Sequence, residues 1–370
     1  MAVLNEEQTM LRDMARDWAR TKSPVKAWRK VRNDGSAIGF DPAAFAAMAE
    51  MGWTGVIIPE AYGGSDFGYL SLGLVLEECA KTLTASPLNT SCLAATSALL
   101  LGGSEAQKSA WLPGIASGAL IAALAVDEGP RHDPEHIETT AERSGDGFVL
   151  TGTKLFVAEG DSAGLLVVAA RAKDGVGLFL VPADAEGVSI ARRNMVDARS
   201  HAEITLDAVS VTADSRLEAG GADLLEQVLD RARAGVAAEM LGLAVQAFDD
   251  TLAYLKTRSQ FGEILSRFQA LQHRMANLFT EIELMRSVVE GALEAIDAGR
   301  DDIPVRVALA KATACQTLHL MSRELIQLHG GIGMTDEHDA GFYLKRARIL
   351  ETQYGSGAFH RDRFARLNDY

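Results

Sequence analysis

Closely spaced cysteine pairs and membrane-length apolar runs are both missing from this 370-residue sequence. The three cysteines, Cys79, Cys92 and Cys315, show no CxxC spacing, so we expect buried free thiols in a reducing compartment. No apolar run reaches the ~18 residues that a membrane helix needs. The first residues turn polar and acidic at once, so no signal peptide begins here. We therefore expect a cytoplasmic protein.

Positively charged residues are also fewer than negatively charged ones. The chain has 36 Lys and Arg against 50 Asp and Glu, a formal net charge of −14. This balance argues against nucleic acid and against anionic membranes as partners. It leaves room for a phosphate-bearing ligand, because a local cluster of Arg and Lys can outweigh the global sign. Hydrophobic content of 48% and charged content of 23% are ordinary for soluble globular proteins, and the length suits two or three domains.

The spacing of apolar residues changes twice along the chain. Up to about residue 118 they recur at helical spacing, and Asn5 is a predicted helix cap. From Ala119 onward the segments are short, β-branched and alternating, with Gly-containing turns between them. After Gly220 long helical patterns return. The predicted fold class is α+β, with an N-terminal α-helical domain (1–118), a central antiparallel β domain (119–216) and a C-terminal four-helix bundle (217–370).

Several segments, taken in order, resemble the signatures of the acyl-CoA dehydrogenase family. Residues 52–64 read GWTGVIIPEAYGG, residues 152–158 read GTKLFVA and residues 258–262 read RSQFG. A Phe-Gln pair follows, and further on Gln327 precedes the Gly330-Gly331 pair. These matches spread over nearly the whole chain, so together they are far more specific than any one of them. The resemblance implies an acyl-CoA dehydrogenase-like fold, FAD as cofactor and an acyl-CoA thioester as substrate.

The chemistry that the resemblance implies is α,β-dehydrogenation of the thioester. It needs a base for the α proton, polarisation of the carbonyl and an acceptor for the β hydride; no side chain accepts hydride, so a flavin must. The resemblance also implies a tetramer, either of one chain type or with a catalytic acyl-CoA dehydrogenase subunit as partner. Electron-transfer flavoprotein is the expected electron acceptor, and degradation of fatty acids or steroid side chains the expected process.

In the family FAD spans two subunits, and a neighbour's residues hold its adenosine-diphosphate half. Arg258 offers a forked cation to pyrophosphate, and paired glycines let the backbone come close. In isolation, Arg258 could equally be a solvated charge and the glycines a plain helix cap. The residues at the family's cofactor-binding positions are Phe156, Val157, Arg258, Phe261, Gln269, Gln327, Gly330 and Gly331.

Asp230 and Arg233 match substrate-binding positions near the CoA nucleotide in the family. Alternatively, Asp230 simply pairs with a neighbouring arginine on one helix surface. The sequence favours neither interpretation.

The flavin-ring side departs from the family pattern. Its loop before the β strands commonly reads TEPxxGSD, whereas residues 126–133 here read VDEGPRHD and lack the Gly-Ser pair. Phe156 stands where the family often has Trp, and Ala158 replaces a hydroxyl residue. We therefore expect the ring contacts to be partly lost while the contacts offered to a neighbour's FAD survive.

The base position departs more sharply. Tyr354 occupies the place of the usual catalytic glutamate, and Ala232 fills the position that a minority of the family uses instead. A tyrosine with a pKa near ~10 is a poor base at neutral pH. Glu239, in an apolar run, is an alternative base. Glu351 is also close in sequence, but a surface charge paired with a nearby arginine is the better interpretation; the histidine spacing in this region suggests no metal site.

Three functions remain open at this point. The first, which we favour, is a subunit of a hetero-oligomeric FAD-dependent acyl-CoA dehydrogenase whose partner keeps the glutamate. The C-terminal sequence resembles that of small or partner subunits that act on bulky or dicarboxylic acyl-CoAs, such as pimeloyl-CoA and steroid side-chain thioesters. The second is a self-sufficient homo-oligomeric flavoenzyme with a displaced base such as Glu239. The third is a flavin-free structural or binding subunit.

Overall fold

A computed structural model describes residues 3–36, 38–218 and 220–370. Helices come first, strands follow and helices return, which confirms the predicted α+β order. The helices of the first block are α1 (Glu6–Lys22), α2 (Val25–Asn33), α3 (Pro42–Glu50), α4 (Gly68–Lys81), α5 (Thr96–Gly102) and α6 (Glu105–Ala116). The main strands are β1 (Ala122–Ala125), β2 (Thr140–Ser144), β3 (Gly147–Ala158), β4 (Leu165–Ala172), β5 (Gly175–Pro182), β6 (Val188–Asn194) and β7 (Ser200–Thr212).

The second helical block is dominated by three long helices, α7, α8 and α9. A hairpin of two very short strands lies between the first two. The elements are α7 (Ala222–Thr257), β8 (Ser259–Gln260), β9 (Glu263–Ile264), α8 (Gln269–Asp297), α9 (Ile303–His329), α10 (Ala340–Leu350) and α11 (Gly357–Leu367).

Local sequence signals explain where several helices begin. The Asn5 side chain accepts a hydrogen bond from the backbone N–H of Gln8, and the Gln8 side chain accepts one from the backbone N–H of Asn5, so the predicted cap is confirmed as a full capping box. Asp41 caps α3, with Pro42 in the first turn. Leu88–Ala95 winds as a π-helix, a form that the apolar pattern did not predict.

The sheet has the strand order β1-β4-β2-β3-β7-β6, and the remaining strand, β5, also pairs with β4. Its pairings are antiparallel except where β1 and β2 meet β4 in parallel. Alternate side chains of these strands form one apolar core, which includes Leu150, Val168 and Ile204. Two register shifts interrupt the pairing of β3 with β7, and the second lies between Lys154 and Val157.

The chain divides into two compact units. One contains the N-terminal residues to Trp28, Gly73–Thr84 and Val236–Tyr370; the other contains Arg29–Leu72 and Ala85–Gly235. In the first unit α8, α9, α10 and α11 pack through apolar faces that include Met285, Met321 and Leu350. In the part of the chain described here, no helix combines the length and the apolar character needed to cross a bilayer. Cys79, Cys92 and Cys315 are buried free thiols, as expected, and burial raises the pKa of Cys92 to about 12.

Candidate functional site

The second register shift of β3 presents an aromatic ring at the surface. Phe156 lies within it with a φ of +54°, a conformation that bulky residues rarely adopt, and its side chain is 46% exposed. Its neighbour Val157 points into the core and is buried. Strained backbone of this kind is concentrated at functional sites. Phe156 is therefore placed to offer a ring face to a ligand, whereas Val157 can contribute only its backbone.

A fully buried lysine fixes the strand next to this ring. Lys154 Nζ donates to Glu128 Oε1 at 2.6 Å and to the Val126 carbonyl at 3.1 Å. Burial lowers the pKa of Lys154 to about 8, although the Glu128 carboxylate opposes the shift. Glu128 in turn accepts from the backbone N–H of Thr139 at 2.8 Å. The loop that departs from the family pattern is thus fastened to β3 by an ion pair.

The same loop is linked to α7 through a buried network. His132 Nδ1 lies 2.7 Å from Asp127 Oδ1, and Arg233 Nη2 lies 3.1 Å from His132 Nε2. Because the guanidinium can only donate, His132 Nε2 accepts and its Nδ1–H donates to Asp127. Arg233 Nη1 donates to Glu226 at 2.8 Å and to Asp230 at 3.1 Å. Sequence reasoning missed His132, since no spacing rule connects residues 132 and 233.

Burial decides what this network can do. The Arg233 side chain is 0% exposed, and that of Asp230 is 3% exposed. A buried guanidinium needs the carboxylates beside it, because an unpaired charge in this position would be very costly. Asp230 and Arg233 therefore form an ion pair with each other, which is the second of the two interpretations that the sequence left open. The geometry also adds Glu226 and His132 to the pair.

In the other unit, the residues predicted to serve a neighbour's FAD share an exposed face. Phe261, in the turn between β8 and β9, is 91% exposed with a φ of +56°. A Cβ built at Gly330 or Gly331 would meet no atom within 4 Å. Across the described residues, the side chains of these positions make no ion pair with the rest of the chain. The exposed members of this predicted set are Arg258, Phe261, Gln269, Gln327, Gly330 and Gly331.

A stack of rings brings the two halves of this face together. Tyr254, one turn before the end of α7, stacks on His329 at the end of α9, with 4.4 Å between the ring centroids. His338 also packs against His329, with 4.5 Å between the ring centroids. Burial lowers the pKa of His329, which favours the neutral ring. The stack holds the helix end before Arg258 next to the helix end before Gly330.

The position of the missing base lies in a turn. Helix α10 ends at Leu350, and Tyr354 follows with a φ of +53° and a side chain that is 7% exposed. The Tyr354 carbonyl oxygen lies 3.1 Å from His360 Nε2. Tyr354 is thus a buried aromatic residue in strained backbone.

The two candidate acids near this turn are both paired. Glu239 Oε2 accepts from Arg346 Nη2 at 2.8 Å, and both side chains are about 10% exposed or less. Glu239 and Arg346 therefore form a buried pair of opposite charges between α7 and α10. Glu351 pairs with Arg348 at 3.0 Å, as expected, and with His319 at 3.2 Å. The expected surface position is wrong, because the Glu351 side chain is only 14% exposed, and this burial raises the pKa of Glu351.

Comparison with known proteins identifies the family. Three domain models match: the acyl-CoA dehydrogenase N-terminal domain over residues 5–119, the middle domain over 122–209 and the C-terminal domain over 219–367. The chain belongs to the acyl-CoA dehydrogenase family. Its members are FAD-dependent oxidoreductases that act on CH–CH bonds, and the tetramer is their typical assembly.

Individual relatives cover almost the entire chain. The probable acyl-CoA dehydrogenase YngJ of Bacillus subtilis is 31% identical over 97% of both chains. A chain of the Tcur3481-Tcur3483 steroid ACAD is 33% identical, with a TM-score of 0.91 over 98% of each chain. A chain of the ChsE4-ChsE5 complex of Mycobacterium tuberculosis is 25% identical, with a TM-score of 0.93 over 100% of this chain and 99% of that one.

The residues present fit part of an FAD site. The exposed Arg258 and Gln269 supply donors for phosphate and adenosine groups, and the open space at Gly330 and Gly331 allows close approach of a ligand to the backbone. Phe156 supplies a ring face. A hydroxyl at residue 158 is lacking, so the fit is better for the adenosine half than for the flavin ring.

Proposed function

We propose that this chain is a subunit of a hetero-oligomeric, FAD-dependent acyl-CoA dehydrogenase whose partner subunit supplies the catalytic base. The observation that carries the proposal is the absence of a suitable carboxylate at residue 354. Tyr354 is a buried tyrosine there, and the alternative acid predicted from the sequence, Glu239, is held by Arg346. A carboxylate fixed by a buried guanidinium is poorly placed to accept a proton from a substrate carbon.

This chain's own contribution is the face formed by Arg258, Phe261, Gln269, Gln327 and the Gly330-Gly331 pair. We propose that it holds the adenosine half of FAD bound to the partner subunit. Exposed donors without competing ion pairs, beside glycines with open space, support this role. When bound there, FAD would supply the acceptor for the β hydride, and a carboxylate of the partner would supply the base for the α proton.

We further propose an acyl-CoA with a bulky acyl group, such as a steroid side-chain thioester, as the substrate. One solved relative, which is a steroid ACAD, supports this substrate class, and another, which is a complex of two differently named chains, supports the hetero-oligomer. Electron-transfer flavoprotein is the proposed electron acceptor of the assembled enzyme.

Reconstitution with the catalytic partner tests the proposal. The full chain is purified alone and together with a candidate partner subunit that carries the glutamate. Flavin content and anaerobic reduction by steroid side-chain CoA thioesters are then measured. We expect weak flavin binding and no reduction for the chain alone, and both properties in the mixture. Full reduction by the isolated chain would contradict the proposal.

A matched pair of variants tests the contribution to the partner's cofactor. Arg258→Ala should lower the FAD content of the assembled enzyme. Arg267→Ala serves as the control, because Arg267 lies just past the same turn, is exposed and is already paired with Glu263 at 2.8 Å. Equal FAD content in both variants would contradict a cofactor role for Arg258.

A further inference from the structure

Lys311 on α9 is a buried charge that no motif explains. Its side chain is 0% exposed, between the buried Ala310 and Ala312. Burying an ammonium group is costly unless its hydrogen bonds are replaced. Its donors are directed at the turn that follows α10. Nζ lies 2.9 Å from the Leu350 carbonyl oxygen and 3.2 Å from the Gly355 carbonyl oxygen.

The two carbonyl groups bracket the turn that carries Tyr354. Leu350 is the last residue of α10, where helix carbonyls lack partners within the helix and a cation is favoured. Gly355 lies on the far side of Tyr354. One ammonium therefore closes the segment 350–355 from both ends. Cys315 Sγ, at 3.5 Å from Nζ, lies in a third donor direction.

The turn needs such support because its backbone is strained. Tyr354 has a φ of +53°, and Gly355 has a φ of +110°. A Cβ at Gly355 would come within 2.6 Å of Phe359 and 2.7 Å of His360. Strained backbone persists only where surrounding contacts determine it. Two other side chains also contact carbonyls of this turn: His360 Nε2 lies 3.1 Å from Tyr354 O, and Cys315 Sγ lies 3.5 Å from Glu351 O.

We propose that Lys311 is the positioning residue of this turn: by binding the carbonyls at 350 and 355 it sets the direction of whatever side chain stands at 354. The turn is then a preserved holder for a base, in which tyrosine has replaced the acid. The proposal rests on the proposed function in one point only, that residue 354 faces the α carbon of the thioester.

Hydrogen exchange of the full chain tests the structural part without any activity. In Lys311→Met the amides of residues 351–356 should exchange at least about tenfold faster, with protection elsewhere retained. Lys154→Met is the matched control, because Lys154 is also fully buried and also donates to a backbone carbonyl, but in the sheet. Folded Lys311→Met with unchanged exchange at 351–356 would overturn the proposal.

Lys311→Gln covers the case in which the methionine variant does not fold. The amide keeps an N–H donor for one of the two carbonyls, so the faster exchange should be smaller and confined to the same residues. An acceleration spread evenly over α9, α10 and α11 would show a general packing role and would equally overturn the proposal.

A base installed at 354 tests the positioning of the side chain. In the isolated chain supplied with excess FAD, so that no base of a partner subunit contributes, Tyr354→Glu places a carboxyl one residue before a carbonyl that the Lys311 ammonium binds, and substrate-dependent flavin reduction is followed against pH. Adding Lys311→Gln should lower the maximal rate and move the acid limb upward by about one pH unit, because the nearby cation is lost. If the acid limb of the pH profile does not move, the proposal is contradicted. If Tyr354→Glu shows no flavin reduction while Lys311→Met shows the expected faster exchange, Lys311 still positions the turn. That result would count only against the role of residue 354 in the proposed function.

Discussion

Replacing Arg233 by methionine distinguishes the two roles left open for this residue. The guanidinium makes three hydrogen bonds of 2.8–3.1 Å, to Glu226, Asp230 and His132. Methionine has similar bulk but removes the cation beside the Asp230 carboxylate, which is 3% exposed. Glu226, with 36% of its side chain exposed, can recover hydration. Breaking a buried pair from one side costs about 3–5 kcal/mol, so we expect a loss of about 4 kcal/mol.

Urea unfolding of the ligand-free chain, followed by circular dichroism, measures this loss. Arg231→Met is the matched control, because Arg231 is a neighbouring arginine on α7 that donates to the Gln227 carbonyl and lies over the Tyr69 ring, with no carboxylate partner among the described residues. We expect it to cost about 1 kcal/mol or less. Combining Arg233→Met with Asp230→Asn should recover part of the loss, since the stranded charge is removed.

A small loss in Arg233→Met would refute the structural account of Arg233. If the free energy of unfolding falls by less than about 1 kcal/mol while the affinity for CoA thioesters collapses, the buried network is not what Arg233 serves. Substrate binding would then be its main role.

Three further predictions concern the strand lysine, the exposed turn and the turn after α10. The pKa of Lys154 is lowered from 10.5 to about 8, so between these values the unfolded chain binds more protons than the folded chain. The free energy of unfolding of the wild type, measured by urea titration relative to Lys154→Met, should therefore rise as the pH is raised from about 8 to 10.5. Phe261→Ala should leave the melting temperature of the free chain unchanged, because the ring is 91% exposed, but should lower the FAD content of the assembled enzyme; equal content would contradict a cofactor role. Gly355→Ala should destabilise the chain by more than about 2 kcal/mol in thermal or urea unfolding. The control is Gly299→Ala, which should cost about 1 kcal/mol, because Gly299 has a φ of +60° but a Cβ there would meet no atom within 4 Å. Equal costs for the two variants would contradict the crowding at Gly355.

Local signals in the sequence were enough to predict the block order of the fold. Helical and alternating periodicities are strong over segments as long as α7 and β7, and the capping box at Asn5 is a purely local pattern. The π-helix at Leu88–Ala95 and the parallel pairing of β4 could not be read in this way. The first depends on how the helix packs, and the second on which strands meet in space.

The candidate site was predictable only where a motif carries the chemistry. The Arg258 turn and the Gly330-Gly331 pair were found by resemblance, and the structure leaves them exposed. His132, Arg346 and Lys311 were missed, because each acts through a partner distant in sequence. Their partners, Arg233, Glu239 and the carbonyls at 350 and 355, lie from 39 to 107 residues away.

Anaerobic titration of the purified chain with a panel of acyl-CoA thioesters tests the central claim most directly. The visible flavin spectrum is recorded before and after each addition, with free FAD supplied in excess. The account predicts that no thioester bleaches the flavin, because neither Tyr354 nor the paired Glu239 can take the α proton. Complete bleaching by any thioester would contradict it, and would show that this chain holds its own base.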